Sequence, residues 1–208
     1  MYKEIFIDDN RGSFSLDSFL VKYKEYSIGY FKIIVTLNQG EHIDYFKKSD
    51  NKFTAELIRK KSPAKAVETY YILNGELHYE DGPAFVHKEY NGSRIECGKE
   101  QYFKYGLMHR ADGPAESEYT FNKKKKIPIS EKYFMNGKLH RIGGPADICY
   151  EDGSITYCNF HKDGKLHNEN GPAKYYHGYG VPSYSFALDD KILLYEDYLK
   201  KIKTKLYW

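Results

Sequence analysis

Cysteine is scarce in this chain and tryptophan scarcer, with 3 Cys and 1 Trp among 208 residues. The three thiols, Cys97, Cys149 and Cys158, are odd in number and lack CxxC spacing, which argues against a disulfide framework or a zinc knuckle and fits a reducing compartment. No apolar run approaches the ~18 residues that a membrane span needs, and the opening "MYKEIFIDDNRG" lacks the apolar core of a secretion signal. The expectation is a cytoplasmic protein that does not cross a membrane. Neither sign of charge dominates: 32 Lys+Arg against 29 Asp+Glu leave a net charge of +3, too mild to define a nucleic-acid binder. Basic residues do gather in "NKKKKIP" (Lys123, Lys124, Lys125 and Lys126) and in the tail "KKIKTKLYW", but such runs read first as solvated surface. Also missing are a Walker loop, H-E-x-x-H, G-x-S-x-G and a dinucleotide fingerprint, so no enzymatic activity and no cofactor are expected.

What the chain has in quantity is tyrosine: 22 Tyr and 12 Phe bring the aromatic share to 17%, within a hydrophobic total of 41%. That content argues for a folded chain. Tyr suits strands that bury a ring and leave the hydroxyl at the water line, so the composition leans toward β-structure.

The tyrosines fall in a pattern that repeats. "YYILNGELHYEDGPA" near the middle has a close cousin in "KYFMNGKLHRIGGPA". Gly-Pro-Ala recurs at Gly82-Pro83, Gly113-Pro114, Gly144-Pro145 and Gly171-Pro172, with spacings of 31, 31 and 27, and a histidine stands four residues before each: His78, His109, His140 and His167. Three residues before each histidine comes a second glycine, in the dipeptides Asn74-Gly75, Tyr105-Gly106, Asn136-Gly137 and Asp163-Gly164. Asn-Gly and Asp-Gly tolerate the positive φ angles of a type I′ turn, so each dipeptide predicts a tight hairpin. Further reversals are expected at Asn91-Gly92 and Asp152-Gly153, giving two strands and two turns per unit.

Two-residue turns fix the pairing. Ile72 should face Leu77, Phe103 Met108, Phe134 Leu139 and His161 Leu166, an apolar pair in every unit except where His161 intrudes. Next to these, Tyr71, Tyr102, Tyr133 and Phe160 should face His78, His109, His140 and His167, ring against imidazole. Gly-Pro-Ala suits a corner where one hairpin hands over to the next: proline removes a donor, and alanine admits a close neighbour. Across Asp152-Gly153 an uninterrupted ladder would set Cys149 and Cys158 on one face as diagonal neighbours.

At the carboxyl end, "FALDDKILLYEDYLKKIK" aligns Asp190 with the turn glycines and Leu193 with the histidines. A short amphipathic helix over Tyr195 to Lys201 should then cap the array, since a terminal unit has an edge with no further neighbour. "KKSPAKAVE" looks like a worn Gly-Pro-Ala. Before it, "MYKEIFI" and "YFKIIVTL" read as strands and "SLDSFLVKYKEY" as a helix capped by Ser15. The expected fold is therefore mainly β: an elongated antiparallel meander of repeated β-hairpins over residues 59–201, followed by a basic tail over 202–208 and preceded over 1–58 by a small α+β segment, which reads equally well as a degenerate unit with an inserted helix.

The units "NGELHYEDGPA", "YGLMHRADGPA", "NGKLHRIGGPA" and "DGKLHNENGPA" resemble the N-G-x-L-H-R-x-D-G-P-A repeats of a group of proteins encoded by bacteriophages, giant viruses and some bacteria, distantly similar to MORN repeats. The resemblance covers roughly residues 60–201 and implies a scaffold without a shared chemistry. The Arg of that pattern is kept only at Arg110 and Arg141 and its Asp only at Asp81 and Asp112.

Four histidines at one repeat position point to a structural role, ring against Tyr or Phe with a nitrogen bonded to corner backbone, and no metal is expected there because converging partners are lacking. The leading functional expectation is a binding protein. The viral distribution of the similar repeats implies an accessory protein that binds and inhibits a host defence protein in the host cytoplasm. Tyr175, Tyr176, Tyr179 and Tyr184, with Arg110 and Arg141 at the corners, are the candidate contact residues. Ordinary strand packing accounts for the tyrosines equally well. Two alternatives stay open: capture of a small nucleotide signal without cleavage, and nucleic-acid binding through Lys123 to Lys126 and the tail.

Overall fold

The computed structural model describes residues 3–9, 18, 31–37, 40–49, 52–60, 64–73, 76–91, 94–177 and 181–205. It is mainly β. The chain divides into two compact units, Met1–Leu107 with Thr120–Lys125, and Met108–Tyr119 with Lys126–Trp208.

In the first unit the strands Lys3–Asp9 and Phe31–Leu37 pair in parallel, Ile5 beside Ile33. From there the order follows the chain as an antiparallel meander: Phe31–Leu37, Gly40–Ser49, Lys52–Lys60, Ala64–Leu73, Phe85–Asn91 and Arg94–Gln101. Both expected amino-terminal strands are present, while the helix expected over 15–26 lies, Ser18 apart, outside the described residues. Ala64–Leu73 turns back into the short strand Glu76–Leu77, with Ile72 opposite Leu77 as the turn arithmetic requires.

The second unit continues in the same style through Lys125–Lys132, Asp147–Glu151, Ser154–Asn159, Lys174–Tyr176, Ser183–Leu188 and Lys191–Leu193. Two small hairpins stand off this ladder, Phe134–Met135 with Lys138–Leu139 and His161–Lys162 with Lys165–Leu166, paired Phe134 to Leu139 and His161 to Leu166. Their turns carry positive φ at both central residues, 50° and 77° at Asn136-Gly137 and 52° and 86° at Asp163-Gly164. These are type I′ turns. Tyr105-Gly106 adopts the same geometry at 49° and 73°, and so do Asp189 and Asp190 at 50° and 66°.

The long hairpins depart from the simple ladder. A β-bulge between Cys149 and Tyr150 makes the register skip Thr156, and an equivalent bulge between Glu89 and Tyr90 makes it skip Glu96. Cys149 consequently faces Tyr157 and Cys158 faces Ile148, so the two thiols project on opposite faces of the sheet, contrary to the diagonal pair expected from uninterrupted alternation.

The alanines of all four Gly-Pro-Ala motifs, Ala84, Ala115, Ala146 and Ala173, are fully buried. A larger side chain has no room there, which explains the invariance of the motif within the chain. The carboxyl-terminal helix, Tyr195–Lys205, runs four residues past the expected end. Glu196 and Asp197 in its first turn complement the helix dipole. Its Tyr195 and Tyr198 rings pack on Phe186 at 4.9 Å each, and Tyr198 is buried.

Candidate functional site

The repeat histidines sit at the joints between successive small hairpins. In a type I′ hairpin the N–H groups of the two turn residues have no partner within the hairpin, so each must bond elsewhere. In the first unit, Tyr105 N–H donates to His78 Nδ1 at 3.2 Å and Gly106 N–H donates to the Leu77 carbonyl at 2.9 Å. The second unit repeats the arrangement three times. Asn136 N lies 3.2 Å from His109 Nδ1, Asp163 N 3.1 Å from His140 Nδ1, and Asp189 N 3.2 Å from His167 Nδ1. The following N–H groups, of Gly137, Gly164 and Asp190, donate to the carbonyls of Met108, Leu139 and Leu166.

At the last three joints the same ring nitrogen also lies 2.9–3.1 Å from a side-chain oxygen of the turn residue, Asn136, Asp163 or Asp189. One nitrogen cannot donate and accept at once: the tautomer decides whether it accepts from the backbone or donates to the oxygen. At His78 the turn residue is Tyr105, and there the ring stacks on the tyrosine at 4.3 Å.

The aromatic residues opposite the histidines pair with them through the backbone, His78 N–H to the Tyr71 carbonyl and His140 N–H to that of Tyr133. Their rings, however, pack on the next residue along: Tyr71 stacks on Tyr79 at 4.1 Å, and the Arg141 guanidinium lies 3.8 Å over Tyr133. In these two units the aromatic ring opposite the histidine thus also packs on the residue that follows the histidine.

That next position closes the Gly-Pro-Ala corner. Arg110 donates to the Pro114 carbonyl at 3.4 Å, Arg141 to Pro145 at 3.1 Å, and Asn168, where the arginine is lost, reaches Pro172 at 2.8 Å through its amide. The guanidinium lies so close to the corner glycine that a Cβ on Gly113 or Gly144 would stand 3.0 or 3.1 Å from it. Gly82 has Tyr79 in the same place, at 3.1 Å. Arg110 also binds Asp112 at 2.9 Å, which holds the Asp112 carboxyl below its usual range. Pro83, Pro114, Pro145 and Pro172 are half-buried at these corners.

Of the candidate contact tyrosines, Tyr175 and Tyr184 are cross-strand partners with rings 5.4 Å apart, and Tyr176 faces Ser183 on the opposite side. Tyr176 and Tyr184 are each 54% exposed, whereas Tyr175 is half-buried. Tyr179 lies outside the described residues. The structure therefore brings Tyr175 and Tyr184 together on one face and places Tyr176 on the other. Lys126 of the basic run lies 3.7 Å over the Tyr119 ring.

A polar row crosses the second unit that sequence reasoning did not single out. Lys132 faces Asp147, which faces Asn159, which faces Lys174. The Lys132 ammonium is bound by buried Glu116 at 2.9 Å, which raises the lysine pKa. Burial pushes Asp147 above the usual carboxylate range, against the pull of Lys132. Burial likewise lowers His161, against the opposing influence of Asp147. The one signal for this cluster was His161, the polar residue in an otherwise apolar hairpin position. The thiols of Cys97, Cys149 and Cys158 are all raised by burial, so they stay protonated at neutral pH.

In the second unit a cleft of about 530 Å³ opens between two corner loops, lined by Arg141, Ile142, Phe160, His161, Lys162 and Glu169 among others. Among the described residues no helix is long and apolar enough to cross a membrane. Taken together, the recurring joints and corners define a β-hairpin repeat protein. Comparison with protein-family models, with curated proteins and with solved structures returns no match.

Proposed function

We propose that this chain is a non-enzymatic binding protein: a virus-encoded accessory protein of the host cytoplasm that binds and inhibits a host defence protein through its β-repeat surface. The viral setting and the defence partner rest on the resemblance of the repeats to those of phage and giant-virus proteins. The observation that carries the binding reading is the exposure of Tyr184 on one face of the sheet and Tyr176 on the other, each 54% accessible. Tyrosine supplies a large amphipathic contact at low entropic cost and is favoured at the centre of interfaces. The repeat histidines and corner arginines support the reading in another way, since their polar atoms are engaged within the fold. Affinity capture with the tagged chain from infected cells tests it. The expected result is a stoichiometric protein partner that is lost with Tyr184→Ala or Tyr176→Ala while the variant stays folded. Unchanged capture by both variants would count against these residues, and no partner would count against the function.

The cleft beside Phe160 favours a second reading, capture of a small nucleotide signal, because it combines an aromatic ring with Arg141 and Lys162. Native mass spectrometry of the protein purified from infected cells distinguishes the two readings by a retained nucleotide mass.

A further inference from the structure

We propose that Asp147, Asn159 and His161 form a binding site for a divalent first-row transition-metal cation of the zinc class. Asp147 and Asn159 are directly opposed across neighbouring strands, and His161, two residues beyond Asn159 in the adjoining small hairpin, is near enough for the Asp147 carboxylate to act on its imidazole. Three atoms here, Asp147 Oδ1, Asn159 Oδ1 and His161 Nδ1, are sealed from solvent and have no hydrogen-bond partner. Asn159 is itself only 6% exposed, and its amide lies against the Tyr157 hydroxyl.

Other copies of the repeat serve as an internal control. The position of His161 is Phe103 and Phe134 in the two preceding units and Ala187 in the last, and none of these needs a polar partner. The preceding unit carries Glu116 and Lys132 at the positions of Asp147 and Asn159, and there the lysine satisfies the buried carboxylate, whereas Asp147 Oδ1 has no hydrogen-bond partner. Nearby, the Lys132 ammonium that could have neutralised Asp147 is held by Glu116. Two oxygens and one imidazole nitrogen are the mixed donor set of the zinc and manganese kind, with solvent water completing the coordination. His161 lines the cleft beside Phe160, which gives a cation an entry path.

Among the described residues no three side chains drawn from His, Cys, Asp and Glu cluster as a metal site. This trio differs in counting an amide oxygen. The four repeat histidines are separate from it, with Nδ1 of each against a turn residue.

The full chain, dialysed against a chelator and titrated with Zn²⁺ by calorimetry, tests the site, with Co²⁺ absorption as a second readout. One ion per chain should bind and raise the melting temperature. His161→Phe, which installs the residue that the sister units carry, and the near-isosteric Asp147→Asn should each weaken binding roughly tenfold or more. No saturable binding, or stoichiometric binding that both folded variants retain, overturns the proposal.

Discussion

His78 is 2% exposed, with its ring nitrogen accepting from Tyr105 N–H and its ring flat against that tyrosine. Removing it takes the partner from a part-buried donor, a loss of about 1 kcal/mol, and empties the buried site that the imidazole fills. His78→Ala should therefore lower stability by roughly 2–3 kcal/mol in urea denaturation. At His109, half-buried and able to yield its place to water, the same change should cost less than half as much. Equal losses at the two sites would show that burial does not set the cost. Arg141 carries a different load. It joins the Pro145 carbonyl to the Tyr133 ring, so Arg141→Ala should cost about 1–2 kcal/mol, and Arg141→Lys should not fully restore it because a lysine lacks the planar fork. Full rescue by lysine in the same denaturation series would mean that charge alone matters there.

At the scale of elements, the tight hairpins were legible in sequence because Asn-Gly and Asp-Gly turns leave one register: the pairs Ile72 with Leu77, Phe134 with Leu139 and His161 with Leu166 all follow from counting. The bulges were not, since nothing in "YEDGSITYCN" distinguishes an extra residue from an ordinary one. The Thr156 carbonyl instead accepts from His177 N–H, just past the next strand, a tertiary contact that sequence counting does not contain. The same limit hid Asp147 and Asn159, which the bulge brings face to face. Asp189-Asp190 was legible as a turn only through its alignment with the glycines. The cap was legible too: Tyr198 offers its hydroxyl oxygen to Gly171 N–H at 2.9 Å while its ring packs on Phe186. Tyr198→Phe should cost about 1 kcal/mol through the lost acceptor, and Tyr198→Ala about 3 kcal/mol through the lost ring as well. Thermal unfolding of the pair separates the two contributions, and identical melting temperatures would remove the hydrogen bond from the account.

For the molecule as a whole, tyrosine makes stability depend on alkaline pH. Burial, with the Glu131 carboxylate next in importance, pushes Tyr150 up to about 12 from 10.0. Tyr133, beside the same carboxylate, is also raised, chiefly by burial. The folded chain thus keeps phenolic protons that the unfolded chain releases from about pH 10 upward. Stability present below pH 10 should fall as pH rises toward 12, with a slope for Tyr150 below the one-proton limit of about 1.4 kcal/mol per pH unit. Tyr150→Phe should flatten that slope in denaturation curves taken across the window, and an unchanged slope would clear Tyr150 of the effect. The central claim remains the joint, in which each turn bonds to the unit before it. Amide hydrogen exchange at Asn136, Gly137, Asp163, Gly164, Asp189 and Asp190 tests it most directly, because turn amides of an isolated hairpin exchange freely. Protection at these six positions comparable to the strand amides of Asp147–Glu151 is the predicted result, and exchange at unprotected rates would contradict the stacked-hairpin account.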